Sequence, residues 1–291
     1  MNKEYVVEQN NEGVRLDVYV AKQYPRFTRS ALEALFEQKL VFLNQKAAKP
    51  SQKVKAGDKI DIDESLLRLD PPKIDLPIIY EDKNVAVIDK PAGILTHSKG
   101  ALNLEGTVAS FIGPKLKELE GNRAGIVHRL DRATSGVIIT AKNPEALSKL
   151  QKQFSKRKAK KTYLAIVEGA LEPPEAIIDA PVMRNLARPQ TFKVSAAGKP
   201  ALTTYETIKT FRRGAKTYSL LKLTPQTGRT HQLRVHLAYI GHPIVGDPIY
   251  GQESEGGLML HAASLEITLP GSERRVFEAK IPARIREFAD A

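Results

Sequence analysis

The chain has 291 residues, of which 42% are apolar, enough for a real core and too many for disorder by composition; the length suggests two domains. A formal net charge of +12 points to a polyanionic partner, nucleic acid before an anionic membrane surface. The absence of cysteine excludes disulfides, thiolate metal sites and cysteine nucleophiles; no apolar run reaches the ~20 residues of a spanning helix, and the start lacks a signal-peptide core, so a cytoplasmic location is expected.

Residues 13–63 read as a small basic module. Thr28 or Ser30 can cap a helix, and Ser30 with Glu33 has capping-box spacing. Leu32, Leu35, Phe36 and Leu40 then recur as one buried stripe. Val41-Phe42-Leu43 predicts a strand turning at Asn44-Gln45-Lys46, and Ala56-Gly57-Asp58 a turn into an alternating strand over Lys59–Ile62. Cations including Arg15, Lys22, Arg26, Arg29 and Lys39 are left for the surface. This order, Arg15-Leu16-Asp17, a helix, Leu40–Gln45 and then Val54–Ile60, resembles an S4 RNA-binding domain. The resemblance implies a small α/β fold whose basic helical face, Arg29 included, meets structured RNA.

Three prolines in Arg68–Pro77 remove helix and central-strand options and stiffen the segment into a linker. The boundary is placed near Asp70–Lys73, giving domains of residues 1–70 and 71–291. Strands are expected at Ile78–Tyr80 and Val85–Asp89 around a turn at Asp82-Lys83-Asn84. Lys90-Pro91-Ala92-Gly93 and His97 follow.

The second domain is organised around residues 125–142. Asp131 is the only carboxylate between Gly121 and Pro144, and Arg123, Arg129, Arg132 and Lys142 share that stretch. Apolar runs flank it, Ile126-Val127 and Val137-Ile138-Ile139, with a turn signal at Thr134-Ser135-Gly136. The pattern draws a lone acid on a loop beside buried strands. Neighbouring cations favour its ionised form, which suits a nucleophile or electrostatic stabiliser better than a general acid. On spacing alone a structural ion pair is the commoner use of such an acid.

Asn143-Pro144 starts a helix whose buried side is Leu147, Leu150 and Phe154. Eight cations against one acid, Glu145, fall between Lys142 and Lys161. Lys156, Arg157, Lys158, Lys160 and Lys161 would repel one another unless phosphates dock there, a source of affinity rather than sequence reading. Thr162–Gly169 alternates like a strand and carries Tyr163; Thr203–Thr207 and Tyr218–Leu223 are rich in β formers. Thr230 can cap a helix running to Gly241, with Leu233, Leu237 and Ile240 buried and Arg234 near its start. Gly241–Gly251 is turn-rich, and Leu258–Ala262 follows.

His128–Gly136 resembles the signature of the RluA-type pseudouridine synthases. The chain also carries segments similar to the family's Lys-Pro-x-Gly…His, Tyr-x-Ala-x-Val-x-Gly and Gly-Arg-x-His-Gln-Leu-Arg-x-His motifs; Ser98 stands where a proline is usual. The resemblance implies an α+β catalytic domain with a mixed, mainly antiparallel sheet, and isomerisation of uridine in ribosomal, large-subunit RNA. It makes Asp131 the catalytic residue, has Tyr163 stack on the target base and remove a proton, and pairs Arg234 with the catalytic carboxylate. Arg229 and His128 would contact substrate, Leu260 would pack on the base, and Arg129 would wedge into the space a flipped base leaves. A tyrosine of ordinary pKa near 10 is a poor base at neutral pH, so that role needs help.

Other chemistries fare poorly. There is no His-Glu-x-x-His, no Gly-x-Ser-x-Gly, no phosphate loop and no dinucleotide fingerprint, so neither metal nor cofactor is expected. RNA is the expected partner, with no membrane and a monomeric state. The rivals are a non-catalytic RNA-binding or ribosome-assembly factor, a synthase acting on tRNA, and a glycosidase, which would want a second carboxylate.

Overall fold

The computed structural model describes residues 2–25, 27–69, 72–98, 105–121, 123–271 and 273–290. Arg26 and the expected boundary residues Asp70 and Pro71 lie outside them. Contacts divide the chain into two units. One runs to Ile74 and takes in His97–Phe111 and Gly121–Arg123; the other comprises Asp75–Thr96, Ile112–Glu120 and Ala124–Ala291.

The first unit contains β1 (Asn2–Val6), α1 (Leu16–Gln23), α2 (Arg29–Glu37), β2 (Val41–Leu43), β3 (Lys46–Ala47) and β4 (Lys59–Asp63). The strands make an antiparallel sheet in the order β1-β4-β2-β3. Thr28 caps α2, accepting from the Ala31 N–H at 3.2 Å. Leu16, Val20, Leu32, Leu35, Val41, Ile60 and Ile62 form its core. The sequence reading missed β1 because its side chains are almost all exposed; only its backbone pairing with β4 makes it a strand. It missed α1 because that helix lacks a clear apolar stripe, although Leu16, Tyr19 and Val20 are buried.

The remaining elements are β5 (Ile78–Glu81), β6 (Val85–Lys90), a short α3 (Val108–Ile112), β7 (Ser135–Ala141), α4 (Pro144–Ser155), β8 (Lys160–Glu168), β9 (Glu175–Asp179), β10 (Val182–Arg184), β11 (Phe192–Val194), β12 (Leu202–Arg213), β13 (Lys216–Pro225), α5 (Gln232–Tyr239), β14 (Leu260–Thr268), β15 (Arg274–Glu278) and α6 (Ala283–Asp290). Nine strands form one sheet in the order β5-β6-β7-β14-β8-β13-β12-β9, with β15 paired to β14. Every pairing in it is antiparallel except β7 with β14. The architecture is therefore α+β, mixed and mainly antiparallel. Ile126-Val127 is no strand of its own; Ile126 makes only an isolated bridge to Thr140.

β7 is buried at every residue because it lies inside the sheet, with α4 packed on it through Ala146 and Leu150. Gly136, at φ +112°, sits opposite Ala262 in the parallel pair. A Cβ there would collide with the Ala262 backbone, so only glycine lets the strands approach. This crossing sets the loop before β7 beside β8 and the start of β14. Among the described residues no helix is long and apolar enough to cross a membrane.

Candidate active site

The loop that carries Asp131 is tied down on both sides of it. Thr96 Oγ1 donates to the Leu130 carbonyl at 2.9 Å and accepts the Leu130 N–H at 3.2 Å. The Arg132 carbonyl accepts from the Gly93 N–H at 2.8 Å and from Lys90 Nζ at 3.3 Å. Lys90 is fully buried, and its ammonium also donates to the carbonyls of Pro91 (2.9 Å) and Ile94 (2.8 Å). Burial brings its pKa down to about 7, against the pull of Asp131. The Lys-Pro-x-Gly segment thus works as a backbone clamp beneath the loop.

Between these ties Asp131 faces a cavity of about 440 Å³. Its walls include His128, Arg129, Phe154, Arg157, Lys161, Tyr163, Arg229, His231, Arg234 and Leu260. Asp131 is the only carboxylate among the described lining residues, against five arginine or lysine side chains, so the cavity favours an anionic ligand.

Arg234 leaves the first turn of α5 with its guanidinium Nη1 3.8 Å from Asp131 Oδ2. Its close partner is a different acid: Nε and Nη2 grip Asp247 at 2.8 and 2.6 Å, a bidentate pair with Asp247 fully buried. The ion pair expected between Arg234 and Asp131 is present at 3.8 Å, but the tighter, bidentate bond of the same guanidinium goes to Asp247, a partner the sequence did not indicate. Burial disfavours the charge on Arg234, but Asp247 more than offsets it. Burial likewise works against the Asp247 charge, and Arg234 together with the N–H groups of Ile249 and Tyr250 holds its carboxyl below the usual range.

The helix start differs from expectation. His231, not Thr230, is the N-cap residue, in left-handed backbone at φ 56°. A non-glycine residue holds that conformation only when its surroundings enforce it. Here the Gln232 side chain gathers Thr227, the Arg229 N–H, the Leu202 carbonyl and Thr203 into one network. His231 Nδ1 lies 2.9 Å from the Tyr250 hydroxyl, and Nε2 lies 3.9 Å from Asp131 Oδ2. Burial keeps this imidazole below its ordinary pKa despite the nearby carboxylate.

His128 lines the cavity, yet its Nε2 accepts the Ile139 N–H at 3.1 Å and its ring stacks on Phe154 at 4.5 Å. Burial first, and then the Lys161 charge, lowers it to about 3, so it is a neutral wall. Tyr163, on β8, is half-buried, and burial together with the Asp131 charge raises its phenol well above the ordinary value. Such a phenol keeps its proton at neutral pH, so these surroundings do not supply the help that proton removal by Tyr163 requires.

The basic run splits in three. Lys156 and Lys158 are exposed, and Lys160 pairs with Glu266 at 3.6 Å. Arg157 is also exposed, but its left-handed backbone (φ 56°) just past α4 turns it to the cavity rim. Lys161 faces the cavity interior. Arg29, in the first unit, is exposed and lies 3.7 Å from Asp17. Arg129 is exposed on the cavity wall, and Arg229 Nε donates to the Pro200 carbonyl at 3.1 Å.

Sequence reading missed Asp247, Tyr250 and His231 as site residues. The turn-rich Gly246-Asp247-Pro248 segment drew notice only as a loop, since nothing local says which of the chain's acids will meet Arg234.

A single acid among the described lining residues of a basic cavity, on a mixed, mainly antiparallel sheet, suits an anionic substrate. Residues 84–239 match the RNA pseudouridylate synthase family, and residues 14–60 match the S4 domain. The chain belongs to the RNA pseudouridylate synthase family, and as an RNA pseudouridine synthase it is an isomerase. It is 39% identical to an RNA pseudouridine synthase of Aquifex aeolicus, over 86% of this chain and 80% of that one. It is equally 39% identical to a ribosomal large subunit pseudouridine synthase D of Borreliella burgdorferi, over 99% of this chain and 92% of that one. Among solved structures, the human RNA pseudouridylate synthase domain containing 1 aligns with a TM-score of 0.59 at 26% identity, covering 73% of this chain and 86% of that one.

Proposed function

We propose that this enzyme isomerises uridine in large-subunit ribosomal RNA with Asp131 as nucleophile and no cofactor. The observation that carries the reading is Asp131 standing as the one carboxylate among the described lining residues of a basic cavity, 3.8 Å from a guanidinium whose strongest bonds are made elsewhere. A carboxylate held near a cation but not consumed by it stays oriented and keeps a lone pair for C1′ of the ribose. Attack there breaks the C1′–N1 bond, and the electron pair leaves with the uracil. The base turns, C5 displaces the Asp131 oxygen from C1′, C5 gives up its proton and N1 takes one. The product is an isomer, so no redox partner or energy source enters.

The target must leave its stack to reach C1′, at roughly a few kcal/mol. Arg129, exposed on the cavity wall, suits the wedge that fills the vacated space, and Tyr163 and Leu260 suit the faces that hold the extruded base. Exposed Lys156, Arg157, Lys158 and Lys160, and Arg29 in the first unit, suit phosphate contacts that would offset the extrusion cost. The ribosomal substrate is supported by the name of the Borreliella relative and by the S4 match, that domain being read here as a holder of structured RNA. Mapping pseudouridines across total RNA with and without the protein tests both parts. Loss of a site in large-subunit RNA, restored by the wild type and not by Asp131→Asn, is expected. A lost site in tRNA instead would reassign the substrate, and restoration by Asp131→Asn would end the role given to Asp131.

A further inference from the structure

Lys161 is a half-buried cation of the cavity that the reaction as described leaves unused. It lies two residues before Tyr163 on β8, so both side chains leave the strand on one side, into the same space. An ammonium has three donors, and among the described residues the one partner of the Lys161 ammonium is the Thr227 carbonyl at 3.5 Å, the outer limit of a hydrogen bond. No carboxylate pairs with it among the described residues. Arg234 is committed to Asp247 and Lys160 to Glu266, and Arg129 and Arg157 are exposed at the rim. The groups facing Lys161 from neighbouring elements are neutral His128, protonated Tyr163, and the arginines and single acid of the cavity wall. Burial brings its pKa down to about 8, so it is still mostly charged at neutral pH. A half-buried, poorly satisfied cation is costly unless an anion arrives.

Two anions reach this enzyme: RNA phosphate and the base itself. Phosphates stay with the backbone, where the exposed cations are. The base enters the cavity and becomes negative there, because heterolysis of C1′–N1 leaves an electron pair on the uracil that spreads to its O2 and O4. We propose that the Lys161 ammonium hydrogen-bonds a carbonyl oxygen of the target uracil and stabilises the negative charge the base carries while detached from the ribose. Lys161 gives and takes no proton; the C5 proton leaves to water and N1 is protonated from water. The proposal rests on the reading of Asp131 and its cavity given above. Stabilisation of this kind, by a fixed charge aimed at where negative charge develops, acts on the transition state more than on binding.

The test compares Lys161→Met with wild type under single turnover at saturating RNA, beside the affinity for the same RNA. The expected result is a rate reduced about 100-fold with affinity changed less than about threefold, the magnitude typical of losing one charge-stabilising donor. With 5-fluorouridine at the target, which has no C5 proton to lose, the rate of C1′–N1 cleavage is read instead of product formation; it should fall less in Lys161→Met, because fluorine makes the base a better leaving group that needs the cation less. Ethylammonium added to Lys161→Ala should restore part of the rate. Lys161→Gln, similar in length and polarity, serves if the methionine variant does not fold. Weakened affinity at an unchanged single-turnover rate would make Lys161 a phosphate contact and overturn the proposal, as would wild-type rate and affinity. Asp131→Asn run in parallel separates the two failures: its full activity would remove the cavity reading itself, whereas its inactivity beside an active Lys161→Met would remove the lysine proposal alone.

Discussion

Asp131 and Asp247 share one guanidinium and differ in everything else. Asp247 is fully buried, gripped twice by Arg234 and capped by two backbone N–H groups. Asp131 is part-exposed, faces a cavity and stands 3.8 Å from the same arginine. A completed ion pair has no free lone pair in the right place; an unfinished one does. The fold thus commits one acid to Arg234 and leaves the other facing the cavity, so the two should respond to substitution in opposite ways.

The largest effect expected is on catalysis. Asp131→Asn should lower the single-turnover rate by about 10⁴-fold or more, the order seen when a nucleophile or its partner is removed. RNA affinity and melting temperature should stay near wild type. A stability loss of several kcal/mol in that variant would mean Asp131 is a structural acid like its counterpart.

Asp247→Asn should do the reverse first. It leaves a buried Arg234 charge uncompensated, at a cost of about 3–5 kcal/mol. Denaturant unfolding should show that loss, and activity should fall with it as Arg234 moves. An Asp247→Asn protein as stable as wild type would erase the distinction between the two acids.

Acid should act on two histidines, His128 of the cavity wall and buried His261 inside β14, rather than on the pair. Burial lowers His128 to about 3 and His261 to about 4, both below the ordinary 6.5. Below pH about 6.5 the unfolded chain binds a proton at each imidazole and the folded one does not, so stability falls as pH falls. The slope is at most about 1.4 kcal/mol per pH unit for each, down toward about 4 for His261 and about 3 for His128. Thermal unfolding between pH 7 and 5 checks the sign, and His128→Gln should flatten the dependence.

The smallest effect expected is that of Tyr163→Phe. If the ring is a platform and the phenol keeps its proton, removing the hydroxyl should cost less than tenfold in rate, while Tyr163→Leu, which removes the aromatic face, should cost more. A collapse of activity in the phenylalanine variant would return proton removal to Tyr163.

Much of this site was legible in one dimension because its loop is local. Asp131 with its arginines, the turn at Thr134–Gly136 and the buried run Val137–Ile139 lie within a dozen residues, and side-chain period and turn chemistry act over that range. The Asn143 cap of α4 and the strands β6, β8 and β13 were legible for the same reason. The helix holding Arg234 was foreseen with the wrong cap, because His231 adopts its left-handed turn through the distant Gln232 network and not through its own preference.

By itself the amino-acid sequence determined that this protein has two folded parts, a basic character, and one isolated acid on a turn beside a buried strand, since composition and short-range periodicity settle those. Only the tertiary structure decided which acid Arg234 would grip, that Lys90 would clamp the loop from below, and that Lys161 would part from its basic neighbours to face the cavity. Those outcomes depend on strands far apart in the chain coming together, above all the parallel meeting of β7 with β14 at Gly136. Distance through space governs electrostatics and desolvation, and spacing along the chain does not encode it.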